Sequence, residues 1–269
     1  MKKLVCLIMA LFMIFIIGGC QSGEDVQNHK LQIVAVSFPE YDFARAVAGD
    51  LAEIKMLIPP AGEVHGYEPT VSDIKAVSSC DLFIYTGGES DTWTESLIES
   101  AKNKNLKTLA MVDFAEHINN DEHNHDDKYT FDEHVWTSPN NAVSIVNAVK
   151  DALIEIDTEN KNTFEENSKV YCEKLKKLDK DIKEVIENAE NDTLVFGDRF
   201  PLTYFAENYD LEHLAAFSGC SEDTEASAST IANLIDYVKE NDIPVVFINE
   251  LSNTAIAEQI AKETGAGVL

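Results

Sequence analysis

The chain has 269 residues, 45% of them hydrophobic, and carries 48 acidic against 21 basic side chains, a formal charge of −27 at pH 7. That balance repels nucleic acid and anionic headgroups and favours cations, so nucleic-acid partners are excluded at the outset. The 5 cysteines are widely spaced with no C-x-x-C, which argues against both a disulfide framework and a cysteine zinc site.

The amino terminus reads Met1-Lys2-Lys3, an apolar run from Leu4 to Ile17, then Gly18-Gly19-Cys20. A short basic start, an apolar run and small residues before a cleavage point make a secretory signal over residues 1–19. The run is shorter than the ~20 residues of a comfortable transmembrane helix. Cys20 after Gly18-Gly19 resembles the bacterial lipobox, whose thiol is lipidated; a plain signal peptide or an uncleaved anchor are the alternatives. Gln21-Ser22-Gly23-Glu24-Asp25 then reads as a polar tether, placed at 20–30. The body is expected to be exported, lipid-anchored on the outer face of the cytoplasmic membrane, and monomeric. Cys80 and Cys172 read as packing residues.

From Leu31 short apolar runs alternate with amphipathic stretches. Leu31–Ser37, Glu53–Ile58, Asp81–Thr86 and Leu106–Val112 read as strands. Helices are expected near 40–49, 70–79 and 91–104, the second opened by a Thr70/Asp73 capping box. Four such units imply a parallel sheet covered on both faces, an α/β lobe over 31–138. Within it, 113–133 is low in apolar content and carries His117, His123 and His125 among acids. It reads as a loop, either merely solvated or a flexible collector of metal ions.

Ser138-Pro139 opens the next helix, serine as cap and proline at the first helical position. Ala142, Val146, Val149, Leu153 and Ile156 recur at 4-3-4-3 spacing. A second stripe, Phe164, Tyr171, Leu175, Leu178, Ile182 and Val185, predicts a helix over 159–189, about 46 Å long. Within a segment 139–190 it is expected to cross between lobes as a stiff spine. The second lobe, 191–269, has expected strands at Thr193–Asp198, Leu211–Phe217 and Pro244–Glu250, with helices near 202–209, 225–241 and 253–264. Gly265–Leu269 reads as a helix stop and the start of another strand. A matching second lobe needs a fourth strand and a cover for it, so the expectation is a truncated chain or an unusually small second lobe.

Ligands of open α/β sheets bind beyond the carboxyl ends of the strands. His65 follows the second strand of the first lobe and His134 its fourth; Asp198 and Glu250 end the first and third strands of the second lobe. Two imidazoles with carboxylate oxygens suit Zn²⁺ or Mn²⁺, and the extra histidines of the acidic loop favour Zn²⁺. Each residue has a blander reading: Asp198 as a partner of Arg199, Glu250 as a helix-start acid or a buried acceptor. Glu63, Glu68 and Glu133 are expected behind the ligands or facing solvent, with Tyr67 and Trp136 walling the cleft.

At these residues the chain resembles the metal-binding lipoproteins of zinc and manganese ABC importers, the cluster A-I solute-binding family. The matching pieces are Pro59-Pro60 with His65-Gly66-Tyr67-Glu68-Pro69-Thr70, Asp81–Tyr85 with Gly87-Gly88, and His134-Val135-Trp136 followed by Ser138-Pro139-Asn140-Asn141-Ala142. The resemblance implies two α/β lobes bridged by a long rigid helix, metal held between them, and delivery to an ABC permease. Zinc members carry a third histidine after the first strand of the second lobe. Here Gly197-Asp198-Arg199-Phe200 puts Arg199 in its place, and arginine has no lone pair to offer. Asp198 is the expected substitute. The family's remaining ligand commonly follows the fourth strand of that lobe, beyond Leu269.

The resulting expectation is a carrier of Zn²⁺, alternatively Mn²⁺, and not an enzyme. The rivals are an anchored metal-dependent hydrolase, disfavoured because no H-E-x-x-H helix or nucleophile motif occurs, and a surface adhesin of the same fold.

Overall fold

Successive side chains of a strand point to opposite faces, and the first sheet buries both. The computed structural model describes residues 30–60, 62, 64, 66–118, 131–217, 226–250 and 252–269. Residues 1–29 with Cys20, and Glu63, His65, His123 and His125, lie outside the described residues. Strands β1 (Leu31–Ala35), β2 (Ala52–Met56), β3 (Leu82–Tyr85) and β4 (Lys107–Ala110) pair in parallel in the order β2-β1-β3-β4. Ile33, Leu82, Ile84 and Leu109 face a core shared with α1 (Phe38–Ala48), α4 (Pro139–Ile156) and the start of α5 (Lys161–Glu187). Val34, Val36 and Phe83 face the other way, onto Val77 of α2 (Val71–Ser79) and Leu97 of α3 (Trp93–Ala101).

The second half repeats this wiring. Strand β5 (Thr193–Arg199) pairs in parallel with β6 (Glu212–Phe217), and β7 (Val245–Val246) with β8 (Gly267–Val268). A parallel bridge between Phe196 and Phe247 joins the pairs, with Phe247 N donating to Val195 O at 2.8 Å and Gly197 N to Phe247 O at 2.9 Å. The order β6-β5-β7-β8 matches β2-β1-β3-β4 of the first half. Helices α6 (Thr203–Asn208), α7 (Ala228–Glu240) and α8 (Ala255–Thr264) complete it; Leu234, Val238, Ala257 and Ile260 pack against Val195 and Val246. The expected α/β class with parallel sheets flanked by helices is the one observed, and the chain end supplies a short fourth strand.

Two elements depart from expectation. The strand expected at 244–250 is regular only at Val245–Val246, because the chain turns at Asn249, whose backbone and side-chain N–H groups both reach Asp198. The long helix runs over Lys161–Glu187, 27 residues or about 40 Å. Its buried residues, Phe164, Ser168 and Cys172, all lie in its first half. Beyond them Leu178 and Val185 are exposed, and Tyr209 Oη donates to Asp179 Oδ1 at 3.1 Å. No helix among the described residues is long and apolar enough to cross a membrane.

Candidate metal centre

His134 stands at the carboxyl-end side of the first sheet, just before a 3-10 turn at Val135–Thr137 and the amino end of α4. Its loop is fixed on both sides. Ser138 caps α4 by accepting from Asn141 N at 3.2 Å. The Asn141 side chain then clasps the backbone of Glu116, accepting from its N–H at 2.9 Å and donating to its carbonyl at 3.1 Å. These bonds account for the Ser-Pro-x-Asn stretch read from the sequence.

On the other side, Asp132 Oδ1 accepts from both the backbone N and Nδ1 of His134, each at 2.8 Å. A carboxylate can only accept, so Nδ1 carries a proton, and in the neutral ring Nε2 then holds the lone pair, the arrangement that orients a metal-binding imidazole. The His134 side chain is 14% exposed and Asp132 5%, so the pair lies just beneath the surface. Burial pushes the Asp132 carboxyl up, but hydrogen bonds from His134 and Thr203 outweigh it and hold the group below the usual carboxylate value. Trp136 packs edge-on against the His134 ring, the centroids 5.4 Å apart. Sequence reasoning missed Asp132, although its signal was present: an aspartate two positions before the histidine.

Glu133 is buried, and its Oε2 accepts from Ser90 N at 3.0 Å. It fits there because of Gly88. A Cβ at Gly88 would lie 2.5 Å from Glu133 Cβ, and one at Gly87, where φ is +92°, would lie 2.8 Å from Val112 Cγ2. Behind this loop Glu40 is fully buried, accepting from Thr86 Oγ1 at 2.7 Å and Ser37 Oγ at 2.8 Å, and burial pushes its carboxyl up. Asp91 accepts from the backbone of Thr86 and Gly87; burial above all, then Glu40 and Glu133, pushes it up to about 7.

His65 itself lies outside the described residues, but its flanks are held. Tyr67 N donates to Val64 O at 3.2 Å, and both side chains pack against the core. Tyr67 Oη and Thr70 Oγ1 converge on Asp73 Oδ2 at 2.9 and 2.7 Å, so the expected Thr70/Asp73 capping box also anchors the tyrosine. The Tyr67 ring packs on Trp93, centroids 5.0 Å apart, and Glu68 faces solvent.

In the second half Asp198 is 5% exposed and already well served. Its Oδ2 accepts from Asn249 N at 3.2 Å and Nδ2 at 2.9 Å. Burial raises its pKa, but the Ser252 side chain, the Arg199 backbone and Asn249 outweigh that and keep it below the ordinary value. Beside it Arg199 holds its guanidinium 5.4 Å over the Phe217 ring and lines a cavity of about 560 Å³ with Asp198, Ser252 and Asn253. Glu250 is exposed on the following turn. His117, at the edge of the acidic loop, is stacked on Phe131 with centroids 4.2 Å apart, and its Nε2 lies 2.7 Å from Val112 O. That contact makes it part of the fold. Among the described residues no three His, Cys, Asp or Glu side chains are grouped to hold a metal ion.

The family model described as zinc-uptake complex component A, periplasmic, matches residues 33–269. The zinc-binding lipoprotein AdcA of Streptococcus pneumoniae is 33% identical over 276 residues, covering 98% of this chain and 54% of that protein. The chain thus spans about half the length of that relative. The high-affinity zinc uptake system protein ZnuA of Bacillus subtilis is 30% identical over 257 residues, with 93% of this chain and 80% of that one covered. Among solved structures, the Zn(II)-bound ZnuA-like domain of Streptococcus pneumoniae AdcA superposes with a TM-score of 0.74 at 34% identity, covering 89% of this chain and 87% of that one.

Proposed function

This chain belongs to the zinc-uptake complex component A family, and from that premise we propose that it captures Zn²⁺ outside the cytoplasmic membrane and passes it to a cognate ABC permease. The observation that carries the reading is the Asp132–His134 pair: a half-buried imidazole, tautomer set by a carboxylate, on a loop pinned at both ends. Such a group is preorganised to ligate and costs little ordering when a metal arrives.

His65 is the second imidazole, carried between the anchored Val64 and Tyr67. Oxygen donors come from the second half. Glu250 is exposed and ready to swing in, whereas Asp198 would first exchange hydrogen bonds with Asn249 or Ser252. Zn²⁺ is favoured over Mn²⁺ because two imidazoles dominate the set. His123 and His125, with His117 at their base, act as a weak accessory collector. The protein is a carrier and not an enzyme: the hydrolase reading has no place in a metal-uptake family. Cys20 carries the lipid that tethers the body, which works as a monomer.

The test is competition for Zn²⁺ between the body and a chromophoric chelator, for wild type and for the His65→Ala, His134→Ala, Asp198→Ala and Glu250→Ala variants. Each histidine variant loses affinity by about tenfold or more, in line with loss of a ligand. The carboxylate variants identify the oxygen donor. Histidine variants that bind as the wild type does would end the proposal.

A further inference from the structure

Asp132 does more than hold one ring. Its three oxygens all face different partners. Oδ1 holds the backbone and Nδ1 of His134; Oδ2 accepts from Thr203 Oγ1 at 2.8 Å; the backbone carbonyl accepts from Tyr204 Oη at 2.7 Å. Thr203 and Tyr204 open α6, a six-residue helix of the second half. The same helix reaches past His134 to its other flank, where Asn208 Nδ2 donates to Ser138 Oγ at 2.6 Å. Tyr204 Oη also accepts from Ile118 N at 3.3 Å. Its ring is 2% exposed and buried in the core of the first half rather than its own. One short helix therefore brackets the His134 loop from residue 132 to residue 138.

We propose that Asp132 is a positioning residue that couples metal binding at His134 to the seating of α6, with Thr203 as the second-half arm of the link. This deepens the zinc-capture reading and rests on it. A carboxylate held by Thr203 on one oxygen cannot rotate freely about its other bond, so it presents Oδ1 to the imidazole in one orientation. Loss of the Thr203 bond frees the carboxylate and with it the ring. Coupling is reciprocal, so a metal that fixes the ring also fixes α6 against the first half. Displacing α6 is then a route by which the chain can release its cargo.

The experiment separates this link from ordinary packing. Thr203→Val keeps the shape and removes the hydroxyl, and leaves His134 and Asp132 untouched. It is expected to weaken Zn²⁺ binding by about fivefold or more, the lower end of typical couplings, with faster metal dissociation. Thr203→Ser, which retains the hydroxyl, restores binding towards wild type. Tyr204→Phe, which cuts the adjacent bond to the Asp132 carbonyl, serves as a second probe and weakens binding in the same direction. Nitrogen chemical shifts of His134 in the metal-free protein report the tautomer. Asp132→Asn shifts it away from Nδ1–H, while Thr203→Val broadens it without reversing it. Zn²⁺ should slow amide exchange across residues 203–209 in wild type and do so less in Thr203→Val. Wild-type affinity in Thr203→Val, or equal weakening by Val and Ser, overturns the coupling. Wild-type affinity in His134→Ala overturns the zinc-capture reading instead, so the two failures are distinguishable.

Discussion

Replacing Gly88 by alanine is the most informative single perturbation away from the ligands. The added Cβ would sit 2.5 Å from Glu133 Cβ, an atom fixed to the backbone, so the 132–134 loop itself must move and not only a side-chain tip. Overpacking of this kind costs about 1–3 kcal/mol. Displacing Glu133 also breaks its bond to Ser90 N, and hydrogen bonds to charged groups contribute about 1.5–3 kcal/mol. The two losses overlap, since the same movement causes both, giving about 2–4 kcal/mol in all. Urea unfolding of the metal-free body reads this as a lower midpoint at unchanged slope. Zinc affinity falls too, because His134 is the next residue. In a Glu133→Gly background the space is already open, so adding Gly88→Ala there costs less than about 1 kcal/mol, a non-additivity that reports direct contact. A Gly88→Ala body as stable as wild type, or strictly additive effects, would refute the close approach.

Three further outcomes follow from the same geometry. Leu153→Ala, at a fully buried position of α4, should lower stability by about 2–5 kcal/mol with little effect on metal affinity, read by urea unfolding and chelator competition. Asp91, held near 7 in the folded state against an ordinary value near 4, binds its proton more tightly folded than unfolded. Its contribution is therefore present at low pH and lost as pH rises through about 7. Asp91→Asn should gain on wild type between pH 5 and pH 8, and a pH-independent difference would contradict this. Asn249→Asp would set two carboxylates against each other where Asn249 Nδ2 now donates to Asp198. It should destabilise the second half by about 1–3 kcal/mol at neutral pH, relieved on acidification, as followed by unfolding at pH 4.5 and 7.

The elements were legible wherever a period repeats. Both β1 faces follow from Leu31-Gln32-Ile33-Val34-Ala35-Val36, and the 4-3-4-3 spacing from Ala142 to Ile156 is the buried face of α4. Capping chemistry located α2 and α4 to within a residue of their starts. The strand expected to reach Glu250 stops short of it: Phe247 and Ile248 still bond to Val195 and Leu269, and the turn at Asn249 ends the pairing there. No local pattern marks a turn imposed by an aspartate 51 positions away. The site shows the same division. His134 stood out by residue type and place. Asp132 and Thr203, 71 residues apart, become a unit only through tertiary contact, and Glu133 fits where it does because Gly88, far earlier in the chain, leaves room for it.

In the proposed centre, imidazole from the first half and oxygen from the second share one metal ion. Zinc K-edge X-ray absorption on the zinc-loaded body reads the donor set directly. Imidazole nitrogens and carboxylate oxygen are expected at about 2.0–2.2 Å, with the imidazole signature lost in His65→Ala/His134→Ala. A sulfur shell near 2.3 Å, or a spectrum unchanged by removing both histidines, would contradict it.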